Sequence, residues 1–486
     1  MASPRVTLAV DDIELLASFA AIRAELQIPS GFDDATAAEA EAAARQGPVV
    51  PVASTARDVA DRRDIAFVTI DPEGSRDLDQ AYAARRSGRG YRVWYAIADV
   101  ASFIAPDSAL DRTARARGAT MFAPDERAPL HPLVLNEGAA SLLAGLDRQS
   151  VLWTIDVDSD GSVVDARVER ALVRSRQQLS YPQAQRIIDG DGADESLALL
   201  ARIGSARVDQ ERARGAVSLN IPTQNVVRRD GRFELEYEGS LPIENWNAQI
   251  SLMTGMAAAS LMIEAGIGLL RTMPAPRRAD FDKLRHIASA LAIEWPTAMS
   301  YPDRIRTLDA NSPRAGAFMT QAARLLRGAG YLAFRDTPPA DHEHGALAAP
   351  YAHVTAPLRR AADRFANEIV LSHCAGTRVP EWAAAALDEL PRMMNRAQQR
   401  QRELDRAVND LLEAVTLEPS VGATFDAGVT DIVDGVARVQ LCKAAVVADV
   451  PVGRADRVRA GDMVQLRLIA SDPAQRSVRF AFEATR

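Results

Sequence analysis

Residues Ile65–Tyr82 read IAFVTIDPEGSRDLDQAY. The run Ile65–Ile70 has the β-branched and aromatic content of a buried strand, and it ends on a carboxylate, Asp71. Pro72, Gly74 and Ser75 are turn formers, so the backbone is expected to fold back and return Asp77 and Asp79 to the neighbourhood of Asp71. Acids sharing one small volume raise one another's pKa unless a cation sits between them. Hard oxygen ligands at a strand end point to Mg2+ or Mn2+, with the remaining coordination left to water and a substrate phosphate. A metal so held can activate water and clamp a phosphodiester. On spacing alone, a solvated acidic turn is the bland alternative. A phosphatase of the Asp-x-Asp type is another, although there the first Asp of the pair sits directly at the strand end, where this chain has Asp71.

The rest of the chain bounds the possibilities. At 486 residues two or three domains are expected, and 47% hydrophobic with 25% charged residues is a globular composition rather than a disordered or membrane one. A net charge of -8 argues against a protein that coats nucleic acid through a basic surface, but not against one that threads a strand through a local basic channel. Arginine dominates the basic residues, which suits phosphate forks and follows equally from a GC-rich coding sequence. The two cysteines, Cys374 and Cys442, make a disulfide framework or a zinc site unexpected. The N-terminal residues lack a signal-peptide pattern, and the apolar stretch Met256–Leu270 is interrupted by Glu264 and too short to span a bilayer, so a cytoplasmic location is expected.

The first 56 residues read as two helices, Asp11–Leu26 and Asp34–Arg45, followed by a Pro/Gly-containing connector. Tyr91–Ile97 is a second aromatic strand running into Asp99, which is read as a strand-end cap in preference to a further metal neighbour. DVDSDG (Asp156–Gly161) begins like a calcium loop, but Arg167 stands where that loop needs Glu, so a hairpin turn is expected instead. Helices are expected over Ala279–Ile293, Arg314–Gly328 and, as one or two pieces, Trp382–Leu417. From Val421 the texture changes to short alternating apolar runs broken by glycine, the pattern of a small β-barrel.

The acidic segment together with YRVWYAIADVASFI resembles the opening of the RNB catalytic domain of the ribonuclease II and ribonuclease R family. The likeness continues at MFAPDERAPLHPLVLNEGAASLL (Met121–Leu143), RSRQQLSYPQAQ (Arg174–Gln185), RGAVSLNIP (Arg214–Pro222) and YAHVTAPLRRAADRFANEIV (Tyr351–Val370). The blocks arrive in the family's order, and it is their combination that is specific. The resemblance implies an α+β fold with a mixed sheet and surrounding helices, plus a C-terminal OB-type barrel. It divides the chain into a helical leader (1–56), an RNB domain (57–417) and an RNA-binding OB domain (418–486). It also implies a shortened form, since the leader is too small for the cold-shock-type OB domains of larger members.

By that resemblance, the activity is Mg2+-assisted (Mn2+ possible) 3′ to 5′ hydrolysis of single-stranded RNA to 5′ nucleoside monophosphates. No membrane or obligate protein partner is implied. Asp71, Asp77, Asp79 and Gln80 would form the metal set, with Asp79 the indispensable acid. Gln80 stands where the family usually has a fourth acid, and a neutral donor holds a cation less strongly. Arg359 would stabilise charge on the phosphate as a planar fork, and Tyr181 would sit beside the scissile phosphate. Phe122 would stack on a base, while Leu219 occupies a place where a second aromatic is common. Glu244 and Asn245 stand in place of two acids near the terminal ribose, and Asp405 in place of a Glu near the last sugar. His353 and Arg360 fall in the arginine-bearing loop and are expected to pack or to contact phosphate. The alternative is a catalytically weak or inactive RNB-fold protein that binds RNA.

Overall fold

The computed structural model describes residues 5–7, 12–49, 58–190, 192–217, 223–229, 232–238, 241–308, 313–442, 446–453 and 458–483. Leu219, one of the expected RNA contacts, lies outside them.

After a short strand at Arg5–Thr7 come two helices, α1 (Asp12–Glu25) and α2 (Asp34–Gln46). Asp33 caps α2 by accepting the Thr36 N–H at 2.7 Å. A six-stranded mixed sheet follows. Its strands are β1 (Val59–Asp61), β2 (Phe67–Asp71), β3 (Gln80–Ser87), β4 (Gly90–Ala98), β5 (Asp147–Val157) and β6 (Val163–Ser180). Along the sheet the order is β1-β6-β2-β3-β4-β5, and β5 pairs back onto β6, so the sheet closes on itself.

Closure depends on β6, an 18-residue strand with two sets of partners. Its first part runs antiparallel to β5, from Val163 opposite Val157 to Arg174 opposite Asp147. Its last part runs parallel to β2 and sets Ser180 opposite Asp71. The expected DVDSDG turn joins β5 to β6, with the Asp158 N–H donating to Ser162 O at 2.9 Å. Val68, Tyr82, Tyr95, Ile97, Trp153 and Leu179 of these strands are all buried and share one core cluster with residues of the helices that follow.

Ser180 also caps the next helix, α3 (Tyr181–Asp189), through a capping box with Gln183. Helix α4 (Pro242–Ala265) is long and apolar enough to cross a membrane, but Ile243, Ile250, Met253, Ala258 and Met262 are buried in the core it packs against. Gly255 allows the close approach of Tyr351, whose Cε2 would lie 2.2 Å from an added Cβ. Helix α5 (Ala361–Cys374) is buried from Ala361 to Ser372, and α6 (Leu390–Leu417) packs Leu404, Val408 and Leu411 against Leu15, Phe19 and Ile22 of α1. The expected helices near 279–293 and 314–328 are shorter, Arg278–Ala290 and Pro313–Ala323.

The C-terminal unit is a five-stranded antiparallel sheet of β7 (Thr424–Val433), β8 (Val436–Leu441), β9 (Val447–Pro451), β10 (Met463–Asp472) and β11 (Ser477–Phe482). The order β9-β8-β7-β10-β11, with β9 and β11 in contact, makes a nearly closed barrel around Val429, Val439, Leu466 and Leu468. It docks on α6, where the Val447 N–H donates to Glu413 and Ser471 Oγ donates to Ala414 O at 2.7 Å.

Candidate active site

The register of β2 against β6 builds the first half of the site. Asp71 ends β2, its neighbour Ser180 ends β6, and α3 begins at Tyr181, so one parallel pairing brings Asp71 and Tyr181 together. The Tyr181 hydroxyl is hydrogen-bonded to Asn247 of α4, and burial and the Asp71 charge raise its pKa. Beyond Asp71 the chain turns through Gly74, whose φ of 81° is left-handed, and Leu78 buries itself fully. The Leu78 N–H donates to Ser141 Oγ at 3.0 Å, and that hydroxyl donates to Arg76 O at 2.6 Å. The acidic segment is therefore stitched into the core on both sides of Leu78.

Asp79 is 4% exposed. Its Oδ1 accepts the Leu358 N–H at 2.8 Å, and its Oδ2 lies 3.7 Å from Arg359 Nε. Burial pushes its carboxyl up to about 8, with Arg359 and the Leu358 N–H opposing that rise. Burial also pushes Asp71 up to about 7, helped by the Asp77 charge and opposed by Arg359. Asp71 Oδ2 is buried with no hydrogen-bond partner. The buried Tyr95 hydroxyl feels Asp71, Tyr181, Asp79 and Arg359 together, which places all four in one neighbourhood.

Asp77 and Gln80 are engaged elsewhere. Asp77 Oδ1 accepts from Arg127 Nη1 at 2.8 Å, and Arg127 also bonds Glu137. The Gln80 amide donates to the Thr355 carbonyl. Among the described residues no three acidic, histidine or cysteine side chains converge on one point. Asp71 with its orphaned oxygen and Asp79 with its half-satisfied Oδ2 do fit a hard cation held by one or two carboxylates and solvent, the manner in which Mg2+ is commonly bound.

The loop carrying Arg359 is held along its length. The Ala356 N–H donates to Asp363 Oδ2 at 2.8 Å, the Pro357 carbonyl faces His131 Nε2 at 3.3 Å, and the Thr120 N–H donates to Arg359 O at 3.0 Å. Arg360 turns inward to Asp363 at 2.7 Å. Arg359 is left with a half-exposed side chain, 49% accessible. It opens on a cavity of about 360 Å³ lined by Phe122, Arg271, Tyr331, His353, Arg359 and Arg360 among others. His353 is held neutral, its pKa lowered by burial and by Arg360 and Arg271, and its Nδ1 meets the Tyr331 hydroxyl at 2.7 Å. Arg271 stacks on the Tyr331 ring at 4.6 Å.

Phe122 is 45% exposed at the rim of this cavity. Gln401 of α6 grips its backbone from both sides, accepting the Phe122 N–H at 2.9 Å and donating to Phe122 O at 3.0 Å. Asp405 accepts from the same amide at 2.7 Å and so reaches the site through Gln401. Glu244 accepts the Leu241 N–H at 2.8 Å as the capping residue of α4, and Asn245 is exposed. Asp99 is held in a buried cluster with Arg170, Ser102 and Gln149. A larger open cleft of about 550 Å³ is lined by Asp61, Arg63 and Arg174, but the two arginines are paired with Asp147.

The RNB domain matches residues 59–375, more than half of the chain, and the C-terminal S1 domain of RNase II-type exonucleases matches residues 423–483. The chain belongs to the RNB domain family. Ribonuclease R of Escherichia coli (strain K12) is 28% identical over 323 residues, covering 62% of this chain and 39% of that protein. The exosome complex exonuclease RRP44 of Mus musculus is 27% identical over 349 residues, covering 66% of this chain and 35% of its own. The chain thus spans about two fifths or less of the length of these curated relatives.

Among solved structures, Mycoplasma genitalium RNase R in complex with ribose-methylated single-stranded RNA matches with a TM-score of 0.84 at 19% identity, over 96% of this chain and 78% of that one. Yeast Ssd1, described as a pseudonuclease, matches with a TM-score of 0.65 at 17% identity, over 89% of this chain and 54% of that one. The RNB-type α/β fold with an S1 or OB-type barrel is therefore common to relatives that cut RNA and to one described as not doing so.

Proposed function

We propose that this RNB-family protein is a 3′ to 5′ exoribonuclease that hydrolyses single-stranded RNA and releases 5′ nucleoside monophosphates. The observation that carries the reading is the contact of Asp79 with the arginine loop: one carboxyl oxygen on the Leu358 N–H, the other 3.7 Å from Arg359. An acid and a guanidinium so placed, beside Asp71 and Tyr181, form a site for a phosphodiester at the mouth of a cavity. Asp71 and Asp79 would hold Mg2+ or Mn2+. When bound, that ion supplies Lewis acidity toward a phosphoryl oxygen and an activated water.

The chain's own groups do the remaining work. Arg359 meets the non-bridging oxygens and stabilises charge that grows in the transition state. Tyr181 donates its hydroxyl beside the scissile phosphate, its orientation set by Asn247. Phe122 stacks on a base, an interaction of about 1–3 kcal/mol. Arg271 supplies positive potential within the cavity, while the charge of Arg360 is paired with Asp363. Residues 57–417 would form the catalytic unit, and 418–486 the barrel at its rim.

The second reading is an RNB-fold protein that holds RNA without cutting it. It is favoured by Gln80, whose amide is turned to Thr355 where the family usually has a fourth acid. Incubation of 5′-end-labelled single-stranded RNA with the protein and Mg2+ or Mn2+ separates the two. Progressive shortening from the 3′ end supports the exonuclease; stable retention of full-length RNA supports the binding protein.

A further inference from the structure

The residue at position 80 is the chain's departure from its family's acidic set, and the structure gives it a partner. The Thr355 carbonyl can only accept a hydrogen bond, so the Gln80 atom that meets it is the amide nitrogen. Gln80 opens β3, where its backbone is fixed in register opposite Ile97 of β4. Thr355 opens the arginine loop, and its hydroxyl lies 3.0 Å from Ser251 Oγ of α4. The side chain of Gln80 therefore spans from the closed sheet to the start of the loop whose other end carries Arg359. Next to it in sequence, Asp79 holds the same loop at Leu358. Two consecutive residues of one strand edge thus fasten the loop at two points.

We infer that Gln80 is a positioning residue whose NH2 group, as a donor to Thr355, sets Arg359 over Asp79, and that it does not act as a metal ligand. An ionised acid at this position could not make the bond: an aspartate is one methylene shorter, and either carboxylate would set an acceptor against an acceptor. On this reading the change from acid to amide exchanges a cation ligand for a strut. The inference rests on the exonuclease reading for its kinetic consequences, but not for its structural ones.

The variant that tests it is Gln80→Met, which keeps length and removes both polar atoms. Hydrogen exchange is read on the peptide spanning residues 354–360, Mn2+ binding by electron paramagnetic resonance, and nucleotide release by single-turnover kinetics. The expected result is exchange about tenfold faster in that peptide, unchanged Mn2+ affinity, and a single-turnover rate lowered about 10- to 100-fold. In an Arg359→Ala background the same substitution should cost no further rate, because the two residues act as one unit. Unchanged protection of the loop, or Mn2+ affinity that falls in step with the rate, overturns the proposal. A wild type that releases no nucleotide defeats the exonuclease reading alone, since the exchange measurement still decides the role of Gln80.

Discussion

Asp79 Oδ1 accepts the backbone N–H of Leu358 at 2.8 Å, so the acid that directly follows the buried Leu78 is also a structural clasp on the arginine loop. The same carboxyl faces Arg359 through its second oxygen. Acid and guanidinium are thereby joined by a direct contact between segments almost 280 residues apart.

Because Arg359 is half exposed and the loop's backbone is held independently of it, Arg359→Ala is expected to fold normally. Loss of the guanidinium removes transition-state stabilisation of about 3–4 kcal/mol, a fall in kcat of roughly 10²- to 10³-fold. Steady-state kinetics on a short oligoribonucleotide, alongside a thermal melt, measures both. A large loss of melting temperature would show that the side chain is structural.

Asp71 and Asp77 are expected to differ in their effect on metal binding. Asp71 keeps a buried oxygen without a partner, whereas Asp77 is neutralised by Arg127. Asp71→Asn should weaken Mn2+ binding at least about tenfold, the loss of one charged oxygen ligand, and Asp77→Asn should weaken it less. Titration calorimetry with Mn2+ reports the order directly.

Phe122→Ala should weaken the hold on single-stranded RNA by about 1–3 kcal/mol while leaving the single-turnover rate at saturating RNA nearly unchanged. Gln401→Ala should act in the same direction and by less, because it frees the Phe122 backbone without removing the ring. Filter binding with catalytically dead protein measures the effect on the grip.

Glu413 makes docking of the C-terminal barrel sensitive to pH. Burial on α6 pushes its carboxyl up to about 7, with Asp410 adding to the rise and the Val447 N–H and Arg438 opposing it. The folded state then holds this proton more tightly than the unfolded chain. The group's contribution is therefore fully present below its unfolded pKa of about 4.5 and is lost as pH rises through 7. Glu413→Gln, which still accepts from the Val447 N–H, should match the wild type in melting temperature near pH 4.5 and exceed it near pH 8.

The strand Phe67–Asp71, the acidic turn, the two N-terminal helices and the C-terminal barrel were legible because each is encoded within a short window of periodicity or turn residues. What was not legible is what depends on distant partners. Arg174–Gln185 stood out only as one of the resembling blocks, yet Arg174–Ser180 is the end of an 18-residue strand, because alternation cannot reveal that β6 leaves β5 to pair with β2. Gln80 read as a weak ligand because its partner lies 275 positions away. Arg127 and His131 stood within a matching block without any local sign that one would bind Asp77 and the other face Pro357. Asn247 carried no signal either, since its contact with Tyr181 arises only when α3 and α4 pack. The capping role of Glu244 could have been found in the sequence, from its place three residues after Leu241 with Pro242 between them.

The central claim is tested most directly by mass analysis of the products formed from a single-stranded oligoribonucleotide with Mn2+, wild type beside Asp79→Asn. Asparagine keeps an oxygen for the Leu358 N–H, so the variant should fold and still bind RNA while its rate falls by at least about 10³-fold, as expected for loss of a principal catalytic group. The account predicts that the wild type yields 5′ nucleoside monophosphates and a ladder shortened from the 3′ end. Internal cleavage, products bearing 3′ phosphates, or equal activity in Asp79→Asn would contradict it.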